Sequence, residues 1–215
     1  MLVYICMVCR NTSKLLAMAL IFPVAVFCGT GGANAQGVLG EAEGRSFTLT
    51  CRRGEVVTGL VGREGARVDA IGISCRQINT LTLRPVEGSG SDSQHVGGRG
   101  GRPKSIWCEH GWLPAGISGV WLETHRDLAT IRIVCKPFTT RRGSDGLLAG
   151  HGYVVSVPCP VSAGSLQRNC KMSNDLGGNL YGRDRKLTAC SRGKVIIGLR
   201  VWSDQYVNAV QAICG

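Results

Sequence analysis

The sequence is short of acidic and aromatic residues, and both shortages restrict its function. It has 14 Asp and Glu against 25 Lys and Arg, which gives a formal net charge of +11. The basic residues are not interleaved with aromatic ones, so the base-stacking surface of proteins that bind single strands is missing and we predict no nucleic-acid partner. The basic excess indicates a solvated surface or, as the alternative, attraction to a glycan or an anionic surface polymer.

A sustained helical period is also missing from the sequence. No segment repeats apolar residues with the spacing of an amphipathic helix. Instead, short runs rich in Val and Ile lie between glycine-containing turns, as in Val56–Val61 and Val68–Ile73. Such runs are typical of antiparallel strands. We therefore predict an all-β protein.

The hydrophobic run near the N-terminus is too short to span a bilayer comfortably. This run, Leu15–Phe27, follows a basic start and precedes an A-x-A cleavage site at Ala33–Ala35. The order is typical of a secretory signal peptide. We predict that residues 1–35 are removed, that residues 36–215 form one secreted or periplasmic domain, and that this domain makes no stable membrane insertion.

The mature chain has no C-x-x-C motif, which argues against a cysteine-based zinc site. We predict no bound metal and no cofactor. The mature cysteines are even in number, which in an exported chain implies disulfides, although the number alone does not fix the pairing. They stand at positions 51, 75, 108, 135, 159, 170, 190 and 214.

The segment Cys51–Cys75 organises the chain, because two further segments, Cys108–Cys135 and Cys190–Cys214, repeat its pattern. Each copy has a cysteine, a glycine turn, an apolar run, a polar loop and a second apolar run that ends on a cysteine. Internal repetition of this kind governs the prediction of the fold. We predict one domain of three repeats, at about 44–85, 97–138 and 176–215, with an elaborated connection at 139–175.

The repeats narrow the disulfide pattern and define a core. One bridge per repeat gives Cys51–Cys75, Cys108–Cys135 and Cys190–Cys214, and the remaining cysteines form a local staple, Cys159–Cys170. Three small sheets facing one pseudo-three-fold axis could bury the apolar faces that a single unit would leave exposed. The predicted core residues are Val57, Leu60, Ile71, Ile73, Ile117, Ile131, Ile133, Ile197, Leu199 and Val210.

Motifs of the first repeat resemble those of a known family. Gly62–Gly65 followed by Val68–Gly72 resembles the G-R-S-G and L-D-A-I-G signature of jacalin-related lectins, and Gly97–Gly101 resembles their glycine-rich loop. The three-fold repetition with bridging cysteines resembles the vitelline membrane outer layer protein family. Both families share the type I β-prism, so the resemblance implies three four-stranded Greek-key sheets with pseudo-three-fold symmetry.

The resemblance also implies a carbohydrate site. In jacalin-related lectins a G-x-x-x-D loop holds the sugar, and that motif falls here on Gly65, Ala66, Arg67, Val68 and Asp69. A glycine permits a tight loop, and a carboxylate accepts strong hydrogen bonds from two sugar hydroxyls. An Asp just before an apolar strand also commonly ties down its own loop, and this tethering is the commoner role. Both roles stay open for Asp69.

The third repeat carries a degenerate version of the motif. Asn208 stands at the position of Asp69, and Asp204 stands at that of the glycine. Trp202 and Tyr206 flank the third loop, where their rings could stack on a sugar face. We therefore include Asn208, Trp202 and Tyr206 among the candidate carbohydrate contacts.

Catalytic chemistry is not indicated. The second repeat has Ala129 at the position of the Asp and no predicted site, and the histidines are His95, His110, His125 and His151. No nucleophile and base are predicted to be held together on a rigid scaffold, so we assign no catalytic residue and predict that the protein is not an enzyme.

The predicted function is lectin-like carbohydrate recognition through inter-strand loops, with a neutral or acidic glycan as ligand. The alternative, from a different class, is a structural or envelope-associated protein with no small ligand. A hydrolase acting on a cell-wall polymer is a third and weaker hypothesis. A glycan array with the wild type and Asp69→Ala distinguishes the first two.

Overall fold

The computed structural model describes residues 37–79, 84–122, 124–141, 153–156, 170–178, 186–191 and 194–215, so the predicted signal peptide lies outside the described residues. The regular structure in these ranges is β-strand, and none of it is a helix long and apolar enough to cross a membrane. Strands β1 to β16 are, in order, Leu39–Gly40, Arg45–Thr50, Glu55–Glu64, Val68–Asn79, Arg84–Pro85, Ser91–Asp92, Val96–Gly97, Arg102–Trp107, Trp112–Leu122, Asp127–Arg141, Tyr153–Ser156, Lys171–Met172, Leu176–Gly177, Lys186–Ala189, Ile196–Ser203 and Val207–Cys214.

The strands form three antiparallel sheets that share one topology. In the first sheet, β8 flanks the hairpin β3–β4 on one side, and the short strands β5, β6 and β7 flank it on the other. The second sheet repeats this arrangement with β14, the hairpin β9–β10, and the strands β11, β12 and β13. In the third sheet, β2 and β1 flank the hairpin β15–β16. Each sheet is a Greek key, because a fourth strand returns to lie beside the first.

In each sheet, the outer strand beside the first strand of the hairpin comes from the next sequence repeat. β2 leads into the first repeat but pairs with β15 of the third sheet. In the same way β8 leads into the second repeat but pairs with β3, and β14 leads into the third repeat but pairs with β9. The repeats and the sheets are therefore offset by one strand. Within the predicted connection, 139–175, β11 and β12 pair with β10 and extend the second sheet.

The inner faces of the three sheets bury a common core. Every predicted core residue except Ile197 belongs to it, and each of the three hairpins contributes. Ile197 is half-buried and packs against a smaller cluster. The physical reason is the register shift between Ile196 and Gly198, which turns Ile196 into the core in its place.

Three disulfides join the sheets in a ring. Cys51–Cys75 runs from the end of β2 in the third sheet to β4 in the first. Cys108–Cys135 runs from the end of β8 in the first sheet to β10 in the second, and Cys190–Cys214 runs from the end of β14 in the second to β16 in the third. Because of the strand offset, each bridge links two sheets instead of closing one unit. Of the fourth predicted pair, Cys159 lies outside the described residues.

A smaller apolar cluster lies near the beginning of the three hairpins and contains Val56, Leu113 and Val195. Lys136 is the register partner of Leu113 in the second sheet, and it is 3% exposed. Burial disfavours the charged ammonium and therefore lowers the pKa of Lys136 below its ordinary value of 10.5. A buried lysine of this kind weakens the folded state at neutral pH.

We expect Lys136→Met to raise the free energy of unfolding at pH 7 by about 1 kcal/mol, because methionine fills a similar volume without a charge to desolvate. The unfolded chain binds the Lys136 proton more tightly than the folded chain does. The wild type should therefore gain stability as the pH rises from the lowered pKa towards 10.5, and the advantage of the variant should shrink. Urea denaturation at pH 7 and pH 10 measures both effects.

The control for this variant is Arg53→Met, at an exposed turn position. It should change the stability by less than about 0.5 kcal/mol, since surface substitutions away from special features have small effects. A Lys136→Met protein that is less stable than the wild type at pH 7 would show that the ammonium has a stabilising partner.

Candidate functional site

The turns of the three long hairpins meet at one end of the protein. We call residues 65–67, 124–126 and 204–206 the first, second and third apical loops. Arg67 of the first loop forms an ion pair with Asp127, which directly follows the second loop. The Arg67 guanidinium also lies 5.0 Å from the ring centroid of Tyr206 in the third loop. One side chain thus joins all three loops, and two predicted carbohydrate contacts, Arg67 and Tyr206, contact each other.

Three glycines mark equivalent positions in the three sheets. Each has a positive φ, and a Cβ built on each would lie within 2.3 Å of a carbonyl oxygen on the paired strand, so a larger residue does not fit. The pairs are Gly97 with the carbonyl of Asp69, Gly177 with that of Ala129 and Gly40 with that of Asn208. The structure therefore places Asp69, Ala129 and Asn208 at the same position of three equivalent hairpins.

Asp69 lies beneath two glycine-containing loops. The residue is 7% exposed, and its carboxylate faces the first apical loop and the loop Gly97–Gly101. A Cβ on Gly65, Gly100 or Gly101 would come within 3.0, 2.5 or 2.6 Å of a carboxylate oxygen. The glycines therefore keep the space beside the carboxylate free of other side chains.

Hydrogen bonds to neighbouring residues hold the glycine loop Gly97–Gly101 in place. Arg63 donates from Nε to the carbonyl of Gly100 and from Nη2 to that of Gly101, each at 2.6 Å. The Gly98 amide donates to the Asp69 carbonyl at 2.7 Å. Within the described ranges no donor reaches the Asp69 carboxylate itself. The carboxylate is therefore an available hydrogen-bond acceptor under a loop in which the carbonyls of Gly100 and Gly101 are already bound.

The equivalent position in the third sheet is engaged in internal hydrogen bonds. Asn208 is 6% exposed, and its Nδ2 donates to the Glu43 carbonyl at 3.2 Å and to Asp204 Oδ2 at 3.4 Å. Trp202, the remaining aromatic candidate, is half-buried on β15. In the second sheet, Ala129 has no polar side-chain atom. The predicted contacts are therefore divided between the Gly65–Asp69 loop and the third sheet.

Among the described residues, two clefts open beside the apical loops. The larger, about 520 Å³, is lined by Glu64, Gly65, Arg102, Gly177 and Gly178. The smaller, about 320 Å³, is lined by Glu43, Arg67, His125, Arg126, Asp127, Asp204, Gln205, Tyr206 and Asn208. The charged residues of the smaller cleft are largely paired with one another, as in Arg126 with Glu43. In the part of the chain that the structure describes, no group of three or more His, Cys, Asp or Glu is placed to hold a metal ion.

Glu64 is a buried carboxylate beside the first apical loop that no sequence motif marks as functional. Its side chain is 6% exposed and accepts hydrogen bonds from Lys104 at 3.0 Å, Arg102 at 3.2 Å and the Gly177 amide at 3.2 Å. Burial alone would raise the pKa of Glu64, but these three donors outweigh it and the pKa is lowered. The sequence signal that could have revealed a carboxylate here is a pair of basic residues, Arg102 and Lys104, two residues apart and therefore on one face of a strand.

Solved structures share this fold, although no protein-family profile and no curated protein matches the sequence. Wild-type Malaysian banana lectin matches with a TM-score of 0.50 and 15% identity, over 86% of this chain and 99% of that chain. Calystegia sepium agglutinin matches with a TM-score of 0.51 and 15% identity, over 86% of this chain and 97% of that chain. These neighbours are jacalin-related lectins, and the predicted type I β-prism-like fold is confirmed. The resemblance to the vitelline membrane family stays a prediction.

Proposed function

We propose that this protein is an exported lectin-like binding protein that recognises a carbohydrate at the first apical loop. The Asp69 carboxylate carries the proposal. It is buried beneath glycine loops, and no donor reaches it within the described ranges. A carboxylate that is largely buried and has no protein donor is poorly solvated in the empty protein, which costs free energy. Two adjacent hydroxyls of a sugar would supply the missing donors through charge-assisted hydrogen bonds.

The surroundings of Asp69 favour a neutral sugar. A carboxylated sugar would bring a like charge next to Asp69, which is unfavourable at short range in a partly buried site. The absence of side chains at Gly65, Gly100 and Gly101 lets a ring with hydroxyl groups approach the carboxylate closely. We therefore narrow the ligand from a neutral or acidic glycan to a neutral one.

The comparison of the three hairpins supports one such site per chain. Asn208 already uses its amide within the protein, and Ala129 offers no hydrogen-bonding group. Only the hairpin with Asp69 combines an available carboxylate with a glycine loop among the residues that the structure describes.

Fold and disulfides support the wider proposal. Banana lectin and Calystegia sepium agglutinin have the same fold, and that fold carries loops at one end on a rigid scaffold, a common basis for recognition. Disulfides persist in oxidising compartments. Three of them join the described sheets, which supports a secreted or periplasmic protein after removal of residues 1–35.

The decisive variant is Asp69→Asn. We expect it to weaken the binding of a monosaccharide selected on a glycan array by at least about tenfold, because a neutral amide replaces a charged acceptor. The Tm should stay the same or rise, since no described hydrogen bond to the carboxylate is lost. Isothermal titration calorimetry and thermal denaturation of the wild type and the variant measure both quantities.

The matched control is Asp204→Asn, at the third apical loop, which should leave the monosaccharide affinity within about twofold of the wild type. Unchanged binding by Asp69→Asn together with a lowered Tm would identify Asp69 as a loop tether and refute the proposal. A wild type that binds nothing on the array would favour the structural or envelope-associated alternative.

A further inference from the structure

Trp107 is a large apolar side chain on the surface of the first sheet. It is 43% exposed, and among the described residues the other exposed large apolar side chains are Val38 and Val86. Trp107 is the register partner of Gly59 on β3. A Cβ on that glycine would lie 2.5 Å from Cε3 of the indole, so the ring rests against the backbone of β3.

The pseudo-three-fold symmetry shows that the fold does not require this tryptophan. Gly116 and Gly198 are the counterparts of Gly59 in the other two sheets, and each lies against the paired outer strand in the same way. Their register partners are Ala189 and Thr50. Small residues therefore serve at this position in two of three equivalent sheets, and the exposed indole is an addition to the first.

A charged pair lies on one side of the exposed ring. The Arg76 guanidinium lies 5.6 Å from the ring centroid and forms an ion pair with Asp92 at 3.3 Å. Asp92 also accepts a hydrogen bond from the Ser74 hydroxyl, and its own side chain is 47% exposed. An aromatic ring beside a guanidinium that is itself paired with a carboxylate presents one apolar surface together with directional donors and acceptors.

This group of residues lies apart from the apical loops. Gly59 is five residues before Glu64, where β3 ends at the first apical loop. At about 3.3 Å per residue the separation along the strand is about 17 Å. A sugar bound at Asp69 therefore does not reach Trp107 with the same ring, although both positions belong to the first sheet.

We propose that Trp107, Arg76 and Asp92 form a lateral carbohydrate subsite that stacks a neutral pyranose ring on the indole. The C–H face of a sugar ring packs on an aromatic surface, while Arg76 donates to ring substituents and Asp92 accepts from a hydroxyl. A protein-docking face is the less suitable use, because such faces need a contiguous apolar area, and the side chain that lies against this ring is the charged Arg76. The lateral subsite rests on the proposed function, because it would give the same class of ligand, a neutral carbohydrate, a second contact with the protein.

The test uses the full mature protein and the homotetrasaccharides of glucose, mannose, galactose and N-acetylglucosamine. Titration is followed by the indole Nε1–H resonance of Trp107 in ¹⁵N-resolved NMR spectra, assigned by comparison with Trp107→Phe. We expect at least one tetrasaccharide to shift this resonance saturably, both in the wild type and in Asp69→Asn.

The matched variant is Trp107→Thr, because threonine occupies the equivalent position 50. It should weaken binding of that tetrasaccharide by about fivefold, leave the monosaccharide affinity at Asp69 unchanged and keep the wild-type Tm. Trp107→Phe should restore most of the affinity.

The lateral subsite is overturned if no tetrasaccharide shifts the Trp107 resonance, or if Trp107→Thr binds all four as the wild type does. Concentration-dependent broadening of all resonances without sugar would instead identify the face as a contact between copies of the chain, which also overturns it. The proposed site at Asp69 fails by a different result. In that case Asp69→Asn binds the monosaccharide as tightly as the wild type does.

Discussion

Replacing Cys108 and Cys135 together by alanine is expected to lower the free energy of unfolding by about 3.5 kcal/mol. This bridge spans 27 residues and lowers the conformational entropy of the unfolded chain. Its removal restores that entropy and so stabilises the unfolded state by about this amount. Cys135 is 2% exposed and belongs to the common core, so lost packing adds to the entropic effect. Denaturation by guanidinium chloride measures the change.

The ring of bridges provides an internal control for this prediction. Cys51–Cys75 and Cys190–Cys214 each span 24 residues and occupy equivalent places between neighbouring sheets. Removing either bridge should therefore cost within about 1 kcal/mol of the loss seen for Cys108–Cys135. A bridge whose removal costs less than about 1 kcal/mol would contradict the view that each one fastens two sheets to each other.

Arg67→Ala is expected to lower the free energy of unfolding by about 2 to 3 kcal/mol, the second largest effect. The variant leaves Asp127, whose side chain is 9% exposed, without its ion-pair partner, and it removes the cation from the Tyr206 ring. The expected loss lies at or just below the range for fully buried pairs because Arg67 itself is 25% exposed. Thermal and chemical denaturation at low and high salt report the loss.

Arg126→Ala is the matched control, because it removes an arginine from the neighbouring apical loop. Its ion pair with Glu43 is exposed on both sides, 61% and 43%, so solvent screens it and its loss should lower the stability much less than the loss of Arg67 does. Asp127→Asn in the Arg67→Ala background should recover part of the stability, since it removes the unpaired charge. Equal losses for the two arginine variants would show that Arg67 does not join the loops in solution.

The sequence was informative wherever the signal was local and repeated. Alternating apolar runs and glycine turns identified the three hairpins, and the spacing of the cysteines identified three bridged pairs. These features depend on neighbouring residues, so a single sequence contains them.

The sequence could not reveal which strands complete each sheet. β2 adjoins the first repeat along the chain, yet its partner β15 lies near the other end of the protein. The inward residue of β15 was also unpredictable, because the run Val195–Leu199 is apolar at nearly every position and lacks the alternation that identifies a face. The bulge between Ile196 and Gly198 decided the orientation.

The candidate site was predictable only in part. The motif at Gly65–Asp69 and the loop Gly97–Gly101 could be identified, and the structure brings them together around one carboxylate. The role of Arg67 could not be predicted, because its partner Asp127 is 60 residues away and no pattern links the two. Glu64 and Gly177 are 113 residues apart, and their contact is equally invisible in the sequence.

The third sheet draws β1 and β2 from the early part of the chain and β15 and β16 from the late part. During translation, β2 leaves the ribosome long before β15 has been made, so its backbone groups stay unpaired throughout synthesis. The nascent polypeptide therefore carries an exposed strand edge that can pair with other chains until the final hairpin emerges. Closure of the ring therefore has to wait for β15 and β16, and the edge of β2 needs protection from other chains until they have been made.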